Sequence, residues 1–381
     1  MARRDGASGA ARPAGRRVVV KVGTSTLTRG SPYIDQAHML ELVRALVSLR
    51  EQGHEVVLVS SGAIAAGRAV LDEASLPRTL GSKQLLASVG QVKLIGMYAD
   101  LFAIYRTHIG QLLLTRADLE NRERYLNARD TITALLSSGV LPIINENDAV
   151  SIAEIKVGDN DNLAAITAIL VDAAQVILLT DQQGLYDRDP RVHPDARLLH
   201  EVESIDDELM ARAGGGAGAA GTGGMQTKLQ AARKASQAGI ELVIISGDRP
   251  QALLDAVAGR AGGTTFRPAL TRVQARKLWL GTATASQGEL VVDDGAREAL
   301  QNRGSSLLPS GICQVRGSFD RGSIVAIVAL NRKVLGRGIS RYSSGEIDRI
   351  KGLQSDRIEE TLGFSHGSVV VHRDDLSLEC Q

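Results

Sequence analysis

Cysteine is almost absent from this 381-residue chain: the two present, Cys313 and Cys380, lie far from any His/Cys cluster. So sparse a pair fits neither a disulfide framework nor a zinc site, and it suits a reducing cytoplasm. Long apolar runs are lacking too. Stretches such as Val56–Val59 and Val176–Leu179 fall far short of the ~20 residues that cross a bilayer, so a cytoplasmic protein with no membrane partner is expected. Net charge is the third absence. Lys+Arg number 44 against 43 Asp+Glu, a formal +1, and both signs are spread along the chain, so nothing global draws it to nucleic acid or lipid. The expected partners are small molecules.

Apolar residues make up 44% of the sequence, enough to build a core in each of two domains. The first residues, MARRDGASGAARPAGRR, hold five arginines and one aspartate. With almost nothing large and apolar, 1–16 reads as a disordered basic arm, lacking the amphipathic stripe of a transit peptide and the h-region of a secretory signal. Short β-branched runs then alternate with helical stretches: Val18–Val22, Val56–Ser60, Gln111–Thr115, Val140–Asn145, Val176–Thr180 and Leu242–Ser246. Asp35 is placed to cap a helix whose Leu42, Val43, Leu46, Val47 and Leu49 share a face, with Gly53 at its end. That order predicts an α/β fold, an open, mainly parallel sheet sandwiched by helices, over 17–262. A Gly/Pro-containing basic linker follows at 263–275. Beyond it, closely spaced runs at Leu278–Leu280, Glu289–Val292, Ser323–Val328, Lys333–Ser340 and Ser368–His372 predict a small, mostly β domain over 276–376.

In open α/β sheets ligands sit beyond the carboxyl ends of the strands, and the residues there are small and polar. Lys21 leads into Gly23, Thr24 and Ser25, and Ser60 into Ser61 and Gly62. The fourth run leads into Asn145, Glu146, Asn147 and Asp148, and the fifth into Thr180 and Asp181. A lysine closing an apolar strand either snorkels to solvent or meets an anion. The turn Ser61–Gly67 suits anion binding at a helix start, although tight packing also selects Gly and Ala. Asp159, Asn160, Asp161 and Asn162 add a polar cluster suited to an amino acid's ammonium and carboxylate, or to turns and caps. Gly221-Thr222-Gly223-Gly224-Met225-Gln226-Thr227-Lys228 enters a helix and suits a nucleotide-phosphate lid. It is not a Walker A loop, because Thr227 rather than Gly precedes the lysine. His372-Arg373-Asp374-Asp375-Leu376 imitates a protein-kinase catalytic loop but lacks that family's other motifs.

Together, KVGTSTLT, VLVSSGAIAAGR, SKQLLASVGQ, LLLTRADLENRERYLNARDT, INENDAV, IKVGDNDNLAA, LLTDQQGLY and GTGGMQTKLQAA resemble the glutamate 5-kinases of the amino-acid kinase family, in family order over about Arg17 to Leu376. The second domain resembles a PUA domain. The resemblance implies an ATP- and Mg²⁺-dependent transfer to the γ-carboxylate of L-glutamate, giving γ-glutamyl phosphate, the first intermediate of proline synthesis. It implies that Lys21 and Lys228 contact the phosphates and that Asp161 orients them. Ser61, Asp148 and Asn160 would bind glutamate; Thr180, Asp181 and Thr222, Gly223, Gly224, Met225, Gln226, Thr227 and Lys228 would bind nucleotide. No metal-ligating residue is assigned. Proline as feedback inhibitor, acting near Asp118 to Asn127 and Glu154, glutamyl phosphate reductase as functional partner, and a homo-oligomer (dimer or tetramer) are further implications. Departures are modest: Ser60 stands where many members have Thr, and Gln183 where Lys is common. The rival readings are a related kinase acting on aspartate, N-acetylglutamate, carbamate or a nucleoside monophosphate, and an RNA-binding PUA protein. The second is a poor electrostatic fit, because 276–381 holds 14 Lys+Arg against 13 Asp+Glu.

Overall fold

Runs of Val, Ile and Leu without alternation form the centre of the main sheet, as expected of strands covered on both faces. In the computed structural model, residues 15–71, 75–150, 160–214, 224–260, 262–268, 270–275 and 286–378 are described. The arm up to residue 14, the Leu278–Leu280 strand, Glu154, Asp159, Thr222 and Gly223 lie outside them. The chain runs through β1 (Arg17–Val22), α1 (Thr24–Thr28), α2 (Gln36–Glu51), β2 (Glu55–Ser60), α3 (Ala63–Arg68), α4 (Leu80–Ala103), β3 (Ile109–Leu114), α5 (Arg116–Glu120), α6 (Arg122–Ser137) and β4 (Leu141–Glu146). It continues through α7 (Asn160–Leu170), β5 (Gln175–Thr180), β6 (Glu201–Val202), α8 (Asp207–Gly214), α9 (Met225–Gln237), β7 (Glu241–Ser246), α10 (Ala252–Val257) and β8 (Thr264–Phe266).

The sheet order is β3-β4-β2-β1-β5-β7-β8-β6. Every pairing is parallel except β7 with β8. Register aligns Val22 with Ser60 and Leu179, and Thr180 with Ser246, so the polar residues that follow these strands share one rim. Asp35 caps α2 as predicted, its carboxylate accepting from the His38 amide at 3.0 Å. The predicted face of α2 is fully buried, each leucine there contributing about 1.5–3 kcal/mol by leaving water.

Sequence reading left α4 out, because its apolar residues are spread around the helix, Leu80, Leu85 and Val92 lying exposed, and no single face stands out. Leu86, Gly90, Leu94, Tyr98 and Phe102, four residues apart, are its buried stripe. By length and composition alone α4 is the one described helix able to cross a membrane, yet that stripe packs inside the α/β layer. Glycine lets it come close to α3. A Cβ at Gly90 would stand 1.8 Å from the Ala63 carbonyl oxygen, and one at Gly67 would stand 2.1 Å from that of Leu86. The stretch from Asp118 to Asn127, where the resemblance puts proline, is helical apart from Asn121 and split between α5 and α6, with Arg124 paired to Asp118 at 2.9 Å.

Met1–Arg116 with Arg129–Ala269 form one compact unit; Ala117–Ala128 with Leu270–Gln381 form the other. The second unit holds β9 (Gly288–Val292), β10 (Ile312–Arg316), β11 (Ile324–Ala329), β12 (Val334–Ile339) and β13 (Leu376–Leu378), in the order β10-β9-β11-β12-β13. Leu290, Val325, Ile327, Tyr342, Ile347 and Val370 fill its core. The Ser368–His372 run is not a strand. Val371 makes an isolated bridge to Leu307, and the fifth strand forms later, at Leu376–Leu378. The intervening His372 caps a 3₁₀ turn, its Nδ1 accepting from the Asp374 amide at 3.2 Å. That structural role accounts for the His-Arg-Asp imitation.

Candidate active site

β1 carries Lys21 to the rim, α7 begins there with Asn160 and Asp161, and α9 brings Lys228 in its first turn. The three charges meet. Asp161 is fully buried, with Oδ1 at 2.5 Å from Lys21 Nζ and Oδ2 at 3.0 Å from Lys228 Nζ. Thr227 Oγ1 also donates to Oδ2, at 3.3 Å. A lone ammonium in such a place would be costly, and Asp161 compensates both lysines, assisted by its place in the first turn of a helix. The trio still carries more positive than negative charge. The Gly23 hydrogen faces it, since a Cβ there would stand 3.4 Å from Lys21 Nζ.

One residue away lies a second cluster. Asn160 Nδ2 donates to Ser61 Oγ at 2.7 Å and to Asn145 Oδ1 at 3.1 Å. Asn145 Oδ1 also accepts from the Glu146 amide at 2.9 Å, and Asn145 Nδ2 donates to Gln91 Oε1 at 2.8 Å. Ser61 is held by its neighbours: its amide donates to the Val22 carbonyl, and Gly62 turns the chain into α3 at φ +104°, a conformation glycine adopts without strain. Beneath it, Ser60 Oγ and the buried Tyr98 hydroxyl are 2.9 Å apart. Burial pushes the Tyr98 hydroxyl's pKa well up, so it stays protonated.

Asp148 is half-buried in the turn after β4, and Thr180 Oγ1 donates to Asp181 Oδ1 at 3.0 Å after β5. Gly224 caps α9, Met225 is half-buried and Gln226 exposed. The structure thus gathers Lys21, Asp161, Thr227 and Lys228 into one cluster and Ser61 with Asn160 into another, and puts Asp148, Thr180 and Asp181 on the same rim. Sequence reasoning missed Gln91 and Tyr98. Both stand on α4 among residues that gave no sign of a site, Gly90 beside Gln91 being a packing glycine, and only their spacing of about two helical turns brings both toward the rim.

The family model described as "Amino acid kinase family" matches residues 16–246, and that for the PUA domain matches 288–362. The glutamate 5-kinase of Photobacterium profundum is 53% identical over 364 residues, 96% of each chain. That of Serratia marcescens is 54% identical over 359 residues, 94% of this chain and 98% of its own. A carbamate kinase from Giardia lamblia bound to AMP-PNP superposes with a TM-score of 0.49 at 19% identity, covering 67% of this chain and 99% of its own. A family match over more than half the chain, with relatives more than half identical along nearly all of it, decides the assignment. This chain belongs to the amino acid kinase family, among the glutamate 5-kinases.

Proposed function

We propose that this protein transfers the γ-phosphoryl group of ATP to the side-chain carboxylate of L-glutamate, releasing ADP and γ-glutamyl phosphate, the opening step of proline synthesis. The observation that carries the reading is the buried Lys21–Asp161–Lys228 trio, one residue from the Asn160–Ser61 pair. Two ammonium groups on one carboxylate fit a polyanion, and the cluster of polar side chains beside them fits the polar groups of an amino acid.

The γ-carboxylate is ionised at neutral pH, so no base has to remove a proton. One of its oxygens attacks the γ-phosphorus as the bond to the β,γ-bridging oxygen breaks, and the electron pair leaves with ADP. Catalysis then rests on alignment and on neutralising charge that spreads over the equatorial oxygens. Lys21 and Lys228 supply that charge, and Asp161 keeps both ammonium groups aimed before nucleotide arrives, so little reorganisation accompanies the step. Ser61, Asp148 and Asn160 hold glutamate. Thr180, Asp181 and the Thr222–Lys228 segment hold the nucleotide. Mg²⁺ bound with the nucleotide would add positive charge beside Lys21 and Lys228; among the described residues no three His, Cys, Asp or Glu side chains cluster as a metal cage.

We assign the kinase domain to 17–262 and the PUA-like domain to 276–376. Proline as feedback inhibitor, coupling to glutamyl phosphate reductase, assembly as a homo-oligomer and a cytoplasmic location are parts of the same proposal; the sparse cysteines and the family support them. The test is ADP release with Mg·ATP and glutamate, aspartate, N-acetylglutamate or UMP in turn, with hydroxylamine present. Glutamate-dependent ADP matched by hydroxamate is the expected result. Turnover with a different acceptor alone would overturn the substrate.

A further inference from the structure

Gln91 lies within SKQLLASVGQ, a motif given no role so far. It is part of a chain of side-chain amides whose orientations fix one another. The anchor is a backbone group: the Glu146 N–H can only donate, so the Asn145 atom 2.9 Å from it must be Oδ1. Asn145 Nδ2 then points to Gln91, whose atom at 2.8 Å must be the acceptor Oε1. On the other side, the Asn160 atom 3.1 Å from Asn145 Oδ1 must be a donor, Nδ2. That leaves Asn160 Oδ1 turned the other way, buried and with no hydrogen-bond partner. A buried amide oxygen in that state lacks a donor.

We infer that Gln91 is a positioning residue for glutamate. By accepting from Asn145 it locks the amide chain in the one orientation that leaves Asn160 Oδ1 as an acceptor, and the group that fills it is the substrate's α-ammonium. The inference rests on the glutamate-kinase reading above. It adds a residue that touches no reacting atom and acts through Asn145 and Asn160. It also explains how a site with several amides distinguishes an ammonium from a carboxylate: each could meet either, except that the Glu146 N–H and the Gln91 oxygen remove the choice.

The experiment is steady-state kinetics of the full chain in the hydroxamate assay, with Gln91→Met and Gln91→Glu compared with wild type. Methionine keeps the shape and removes the acceptor; glutamate keeps an acceptor oxygen. Gln91→Met is expected to raise KM for glutamate about tenfold, the equivalent of about 1.4 kcal/mol. A lost hydrogen bond with one partner left buried is of that order. Both kcat and KM for ATP should stay within about twofold. Gln91→Glu is expected to stay within about threefold of wild type in all three. An unchanged glutamate KM in Gln91→Met, a parallel loss in kcat and ATP KM, or a glutamate variant as impaired as the methionine variant would each overturn the inference. A wild-type protein that forms no glutamyl hydroxamate would instead overturn the reading on which it rests.

Discussion

Lys228 Nζ and Lys21 Nζ share one buried carboxylate, and their different routes to it let each be tested alone. Lys228→Ala should lower kcat by about 10²–10³-fold, the scale of losing one oriented donor at a site of developing charge, with the KM for glutamate changing less than about threefold. Initial rates across both substrates check this, and normal turnover would remove Lys228 from the mechanism. Asp161→Asn leaves two buried ammonium groups with a neutral partner, a loss on the order of 3–5 kcal/mol. Because nucleotide phosphates would resupply the missing charge, Mg·ATP should raise the unfolding temperature of this variant more than that of wild type, which differential scanning fluorimetry measures. His38 belongs to a different balance. Burial, then Arg29, lowers its pKa below 6.5 in the folded protein. The unfolded chain therefore binds this proton more readily than the native one, so stability falls as pH drops below about 6.5. His38→Gln should flatten that part of the pH–stability curve obtained by urea unfolding.

At the scale of elements, α3 and α4 meet where glycines replace side chains. Gly90→Ala would force its methyl against the Ala63 carbonyl oxygen and the Gly67 amide, 1.8 and 2.4 Å away. Overpacking against rigid backbone costs about 1–3 kcal/mol or more. A loss of stability in that range by urea denaturation, together with a raised glutamate KM, is expected, because Gly90 adjoins Gln91 and Ala63 follows the Ser61–Gly62 turn. The strands around this seam were legible in the sequence because buried parallel strands are continuous apolar runs. Lys21 was legible because charge at the end of such a run needs an explanation, Lys228 because a glycine tract leads it into a helix, and Asp161 only as one of a polar cluster to which the family resemblance lent a role. α4 was not, since exposed apolar residues, Leu80, Leu85 and Val92, lie on its other faces and blur the buried stripe. The Ser368–His372 run misled for the opposite reason: apolar and β-branched, it has the composition of a strand, but the cap made by His372 turns the backbone away. The amide chain through Gln91 is the least legible part of the site. It brings together residues from three distant segments, and sequence spacing carries no trace of which atoms face each other.

For the whole molecule, the near-zero charge of the second unit separates its fold from the RNA-binding role that PUA domains lend their name to. Filter binding of the full chain to RNA should give only weak retention, with none of the steep salt dependence that several phosphate contacts produce. The kinase unit works by a different economy of scale. α7 packs across β1, β2, β4 and β5, and its first two residues divide the labour: Asn160 belongs to the cluster around Ser61, and Asp161 to the lysines. One peptide bond, about 3.8 Å between α-carbons, therefore joins the Asn160–Ser61 cluster, proposed to hold the acceptor, to the lysine cluster proposed to hold the donor. The spacing of the two residues that anchor these clusters is thus set by covalent geometry rather than by packing. Inserting a single glycine between Asn160 and Asp161 should leave a chain that still takes up each substrate when titrated separately by calorimetry, yet holds them out of line and transfers nothing.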